Sequence, residues 1–228
     1  MKKVVLLLSL STVLASSLMV SCKSPLSSKP IHIGDTCNGG IVFYLDSTEQ
    51  HGLVAAMEDQ STTIAWDPQH ENDPSRWSSY IAKNTDAIKT DIGSGSENTT
   101  KIIATFGNGK GYNRYAASIC RDYRGGDFKD WYLPSRDELY ELYVNRALVG
   151  GFDDKGKYLS SSEVYDDKPA PAGSKFERNY YSDDIRRKEN RYVWCQSFYN
   201  GQQGFTPKYN STVYGGYGNC CVRAVRSF

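Results

Sequence analysis

Residues Ile33–Met57 read "IGDTCNGGIVFYLDSTEQHGLVAAM", and this stretch sets the fold. The apolar run Ile41–Leu45 reads as a strand, with Gly39–Gly40 before it as a turn. A second strand, "HGLVAAM", follows after the short polar link "STEQ", so the two predict a hairpin. Further along, "TTKIIATF" and "YNRYAASICRDY" carry apolar residues at helical spacing: Ile102, Ile103 and Phe106, then Tyr112, Ala116, Ile119 and Cys120. The second run stops at Gly125–Gly126. In "SRDELYELYVNRAL", Ser135 and Glu138 have capping-box spacing, and Leu139, Leu142, Tyr143 and Ala147 share a face. Then "YLSSSEVY", "RYVWCQSFY" and "CVRAVRSF" read as strands. Helices lying between an N-terminal hairpin and C-terminal strands predict an α+β domain, with the last strand returning beside the hairpin.

Between the helices and the ends lie irregular stretches. The polar region after Gln60 holds Trp66 and Trp77, which are expected to anchor it to the core. The run 166–190 is dense in Asp, Lys and Arg and contains Pro169 and Pro171. It shows neither helical nor strand period and reads as a mobile or functional loop. Phe176, Tyr180 and Tyr181 are expected to pin it against the domain as a wall beside a binding patch.

The N-terminus reads as a targeting segment. Lys2 and Lys3 precede an apolar stretch, Val4–Val20, short for a membrane span. It closes on "LMVSC", the pattern of a lipobox in which Cys22 is acylated, although Met19 stands where Leu is usual. Residues 1–21 are thus expected to be a lipoprotein signal peptide, 22–30 a Ser-, Pro- and Lys-rich tether, and 31–228 the domain. The implied location is an outer membrane or cell surface, with membrane contact only through the lipid.

A net charge of +1 advertises no nucleic-acid surface. The 17 tyrosines point elsewhere, because Tyr with Ser, Gly and Asn is the composition of adaptable binding loops. With Cys22 set aside, Cys37, Cys120, Cys195, Cys220 and Cys221 form an odd set, a poor disulfide framework. Cys120 reads as a small buried hydrophobe, and a Cys37–Cys120 bridge stays open. No CxxC zinc spacing is present.

The segments "IGDTCNGGIVFYLD", "HGLVAA", "DWYLPSRDELYELY", "YLSSSE" and "VRAVRSF" together resemble C-type-lectin-like surface domains of the formylglycine-generating-enzyme type. That family includes the C-terminal domain of a Legionella collagen-like adhesin. With the lipobox-like start, the chain is most similar to variable lipoproteins of treponemal type, diversified by a retroelement. The resemblance implies a C-type-lectin-like fold with two helices, small mostly antiparallel sheets and long loops. It also implies a variable region near 190–221, in which adenines of a template repeat are replaced at random. An Asn codon of the form AAY can then yield Tyr, Ser, Gly, Cys, Thr, Asp or His, but never a stop. "STVYGGYGNCC" consists almost wholly of that set. On this reading Cys220 and Cys221 need neither disulfide nor metal.

Strand period adds to this. In "YVWCQSFYN", Val193, Cys195, Ser197 and Tyr199 alternate with Trp194, Gln196 and Phe198. The first face is expected to be exposed and variable, and the second to join the core with Trp131. The expected contact residues are Cys195, Ser197, Tyr199, Tyr209, Ser211, Tyr214, Gly215, Tyr217, Asn219 and Cys220, converging on one patch. Arg223 and Arg226 read as surface or loop-pinning arginines rather than anion ligands.

Catalysis is not expected. The formylglycine-generating enzymes use two cysteines separated by a few residues, whereas Cys220 and Cys221 are adjacent. His32, His51 and His70 have no partner spacing, and the acid pairs Asp153–Asp154, Asp166–Asp167 and Asp183–Asp184 lack the period of a calcium loop. No cofactor, metal or nucleic acid is implied. The expected function is a monomeric, surface-displayed binder of an unknown ligand, a protein on another cell or host. A fixed-specificity adhesin for sulfated or acidic polysaccharide, using "RRKENR", is the alternative.

Overall fold

The computed structural model describes residues 30–68, 83–164, 192–208 and 220–228. Strand β1 (Thr36–Cys37) turns through Asn38 and Gly39 into β2 (Gly40–Leu45). Both turn residues have positive φ, 47° and 78°, as a two-residue hairpin turn requires. Gly39 also backs onto another chain segment: a Cβ there would lie 2.6 Å from the Gly125 carbonyl oxygen. Strand β3 (Gly52–Ala55) pairs antiparallel with β2, the expected hairpin.

Among the described residues four α-helices follow, where the resemblance implied two: α1 (Gly95–Phe106), α2 (Ala116–Asp122), α3 (Arg136–Val144) and α4 (Arg146–Val149). The capping box of α3 forms as its sequence predicts. Ser135 Oγ accepts from the Glu138 N–H at 3.3 Å, and the Ser135 N–H donates to the Glu138 carboxylate at 2.8 Å. Glu138 reaches further, accepting from the Gly93 N–H at 2.8 Å, so it also ties down the loop before α1.

The remaining strands are β4 (Lys157–Glu163), β5 (Tyr192–Ser197), β6 (Gln203–Pro207), β7 (Cys220–Cys221) and β8 (Val225–Ser227). Among the described residues they complete two four-stranded sheets, ordered β1-β2-β3-β8 and β6-β5-β4-β7. All pairs are antiparallel except β4 with β7. The final strand returns beside the hairpin as expected, with Leu53 opposite Ser227 and Ala55 opposite Val225. The segment "CVRAVRSF" is not one strand, however. It leaves the second sheet at Cys221 and joins the first at Val225.

The second sheet lies between two apolar clusters. Leu159, Val193 and Cys220 join Trp66, Trp131 and Leu133 on one side. Tyr158, Phe198 and Cys221 join Phe43, Leu139 and Leu142 on the other. Adjacent strand residues point to opposite faces, so Cys220 and Cys221 fall into different clusters. Cys120 is a free buried thiol, so the Cys37–Cys120 bridge does not form. Among the described residues no helix is long and apolar enough to cross a membrane.

Candidate ligand-binding site

The segments 69–82, 165–191 and 209–219 lie outside the described residues, but the residues from which they spring are well placed. At the centre is Lys208, whose side chain is 0% exposed. Its Nζ donates to the Glu163 carboxylate and, at 2.8 Å, to the Lys83 carbonyl, and sits 5.0 Å from the centre of the Trp66 ring. The Lys208 carbonyl accepts from the Trp66 and Asp67 N–H groups at 3.0 and 3.1 Å. Glu163 accepts in turn from the Thr85 N–H at 3.2 Å. Trp66 is fixed by its indole N–H, which donates to the Ser160 carbonyl at 2.9 Å.

This node gathers five of the six roots of those segments. Residues 67, 83 and 208 meet at Lys208 itself. Residues 164 and 192 lie next to Glu163, where Val164 N–H donates to the Tyr192 carbonyl at 3.0 Å and Glu163 stands opposite Val193. The sixth root, Cys220, is placed separately: its carbonyl accepts from the Ile64 N–H, two residues before Trp66. The described residues that flank the 166–190 insertion, Val164 and Tyr192, are thus paired at β5. The insertion itself, with Phe176, Tyr180 and Tyr181, lies outside the described residues, as does Trp77.

A buried ammonium is costly to desolvate unless it is paired and hydrogen-bonded, and here it is both. Burial pulls Lys208 below the ordinary lysine value, with Glu163 opposing. The arrangement is a rigid mount of fixed charges, carbonyls and one tryptophan. Among the described residues no group of three His, Cys, Asp or Glu side chains is arranged to hold a metal ion.

Of the expected contact residues, the four that are described, Cys195, Ser197, Tyr199 and Cys220, do not share one exposed patch. Tyr209, Ser211, Tyr214, Gly215, Tyr217 and Asn219 lie outside the described residues, and so does Cys22. Cys195 and Cys220 are buried, which corrects the expectation that they are exposed. Burial pushes the Cys195 thiol up to about 12 and the Cys220 thiol up to about 11. The period-2 argument failed because it assumed one solvated face, and both faces of the middle of β5 are covered. Trp194, Phe198 and Trp131 are buried as expected. Gln196, expected to be scaffold, is fully buried as well.

Ser197 and Tyr199 are displaced in another way. Ser197 stands opposite Lys157, at the end of β4 away from Glu163. Tyr199, 74% exposed, follows in the β5–β6 turn at that same end. Some 20 Å of strand separates this turn from the Lys208 node, by the rise of β4.

Arg223 is a loop-pinning arginine, as one of its readings held, but it is buried rather than on the surface. Its guanidinium donates to Asp59 at 2.6 Å, to the Ala56 and Gly150 carbonyls at 2.8 and 3.3 Å, and to the Gly151 carbonyl. Asp59 also accepts from the Tyr158 hydroxyl at 2.7 Å. Sequence reading did not single out Lys208, Glu163 or Asp59. The available signal was a lone lysine directly before a Tyr- and Asn-rich run. No family model matches this chain, and no curated protein matches it.

Proposed function

We propose that this is an exported, lipid-anchored protein that displays a variable ligand-binding site on the cell surface. Variation by a retroelement would be concentrated in 209–219, the run richest in residues reachable from Asn codons. One observation carries the reading. The carbonyls of Lys208 and Cys220, which bracket that run, are held by main-chain N–H groups of Trp66, Asp67 and Ile64, so the mount does not depend on side chains within the run. Exposed substitutions on such a mount cost little stability. The burial of Cys195 and Cys220 narrows the variable surface to less than 190–221. A protein epitope suits a Tyr-rich, weakly charged contact run.

The test is to sequence the 3′ end of the gene in many cells of one population. Substitutions confined to adenine positions of codons 209–219, beside a near-copy of that sequence and a reverse transcriptase, are expected. A uniform sequence with no near-copy would remove the reading. Salt-sensitive binding to sulfated glycans would then favour the fixed adhesin.

A further inference from the structure

An ammonium and a carboxylate held in contact in a dry interior are also the two halves of an amide. Lys208 and Glu163 have side chains 0% and 2% exposed, and Lys208 Nζ donates to Glu163 Oε1. Their surroundings are apolar: the buried Trp66 ring has its centre 5.0 Å from Nζ, and buried Val193 stands opposite Glu163. Two further residues complete the cluster. The Thr85 N–H donates to both oxygens of the Glu163 carboxylate, at 3.2 and 3.3 Å. Thr85 Oγ1 is buried and has no hydrogen-bond partner among the described residues. Asp67 is buried too. Its N–H donates to the Lys208 carbonyl at 3.1 Å, and its charge acts on the Lys208 ammonium.

An ion pair satisfies the two charges but gives the Thr85 hydroxyl nothing to do. It also keeps two charges out of water, where neutral groups would cost less. Burial draws Lys208 toward the free amine. A proton passed from Nζ to Glu163 leaves an amine against a carboxylic acid, with no change in net charge.

We propose that Lys208 and Glu163 condense into an isopeptide bond between Nζ and Cδ. The chain folds first with the ion pair, the state to which substitutions of the pair refer, and condenses afterwards. The amine nitrogen attacks Cδ of the carboxylic acid. An N–C bond forms, one C–O bond breaks, and the hydroxyl leaves as water with a proton taken from Nζ. One ammonium and one carboxylate thus become one amide and one water, and nothing is oxidised or reduced. The Thr85 N–H stabilises the charge that gathers on the carboxyl oxygen during attack. Asp67 carries the proton from nitrogen to the departing hydroxyl, and Thr85 Oγ1 donates to that hydroxyl as it leaves. Groups held this close react as if at effective concentrations of about 10⁵ M or more, which favours the amide over its hydrolysis. The bond ties the end of β4 to the residue that follows β6, so segments 165–191 and 209–219 spring from a covalent junction. This inference depends on neither export nor sequence variation.

The experiment uses the full chain, purified, denatured, reduced and digested with trypsin, with mass spectrometry of the peptides. Before denaturation, protection of the buried Cys120 thiol from a thiol reagent reports that the chain is folded. Peptide 158–175 should appear joined to peptide 192–223, uncut after Lys208 and one water lighter than the two together. Fragmentation should place the link between Glu163 and Lys208. Lys208→Arg should abolish the joined species. In chains made by cell-free synthesis and sampled over time, Asp67→Asn should slow joining about a hundredfold, the lower end for a positioned proton carrier, and Asp67→Glu should restore part of the rate. Separate peptides from a folded wild-type chain, cut after Lys208, would overturn the proposal. So would a water lost elsewhere, as in a succinimide, because the two peptides would then stay apart. Joining at the wild-type rate in Asp67→Asn would overturn the role given to Asp67.

Discussion

Arg223 distributes its guanidinium over four acceptors along one wall of the domain: the Asp59 carboxylate and the carbonyls of Ala56, Gly150 and Gly151. Lys208 gathers Glu163 and the Lys83 carbonyl around a single ammonium. Both cations are buried, each is paired to a carboxylate, and each joins segments distant in sequence. The planar fork suits Arg223, because its acceptors are fixed carbonyls at set angles. The compact ammonium suits Lys208, because three chain segments must meet at one point. Arg223 thus seals a finished surface, while Lys208 supports the segments proposed to vary. An apolar replacement of a whole buried pair is often neutral, so the contribution of each pair to stability is a matter for substitution to measure.

That comparison can be broken by substitution. The largest effect is expected for Arg223→Ala, which leaves Asp59 without its cation and three carbonyls without their donor. A loss of about 5 kcal/mol, the upper end for a broken buried pair, should appear in urea unfolding. Arg223→Lys should recover only part of it, because one ammonium cannot reach all four acceptors. Lys208→Met should cost about 3 kcal/mol by stranding Glu163, and the double variant Lys208→Met/Glu163→Leu should recover most of that. If the double variant is no better than the single, the node is a stability element, and its contrast with Arg223 collapses.

A smaller effect should follow pH. Burial pushes Glu138 up to about 7 from the ordinary glutamate value of 4.5, against the N–H groups of Ser135, Gly93 and Gly95, which favour the carboxylate. Between these values the folded chain holds a proton that the unfolded chain has released. Stability should therefore fall as pH rises through this window, by no more than about 3 kcal/mol. Glu138→Gln should flatten that slope, as urea midpoints on either side of the window will show. Smallest of all, Tyr199→Ser and single Tyr→Ser changes at 209, 214 or 217 should shift stability by no more than about 0.5 kcal/mol. A larger shift at 209–217 would mean that the run is part of the core.

The hairpin, the α3 capping box and the return of the last strand were legible because each depends on local spacing or on a strong apolar run. Strand β6 was not, because Gln203, Gly204 and Pro207 carry little strand signal. Pro207 is tolerated there because, among the described residues, β6 is an edge strand paired only with β5. The exposed face assigned to Cys195 misread a sheet covered on both sides. Cysteine is among the most often buried residues, so its presence on that face was itself the warning. Lys208 could not be foreseen, since its burial depends on Glu163, Lys83 and Trp66, none of which lies near it in sequence.

The pairing of β8 with β3 has a consequence for how the molecule comes into being. Residues 52–55 pair with β2 on one side but find their second neighbour at 225–227, and the main chains of Gly52 and Phe228 exchange hydrogen bonds at 3.3 and 3.1 Å. Until that distant segment arrives, β3 is an open edge in search of a strand. Contacts this remote in sequence make folding slow, because a long loop must close before they form. A nascent chain would therefore hold its first sheet unfinished until almost all of the domain had been synthesised. It would be vulnerable to aggregation during that interval, and a chaperone that shields residues 52–55 should raise its yield.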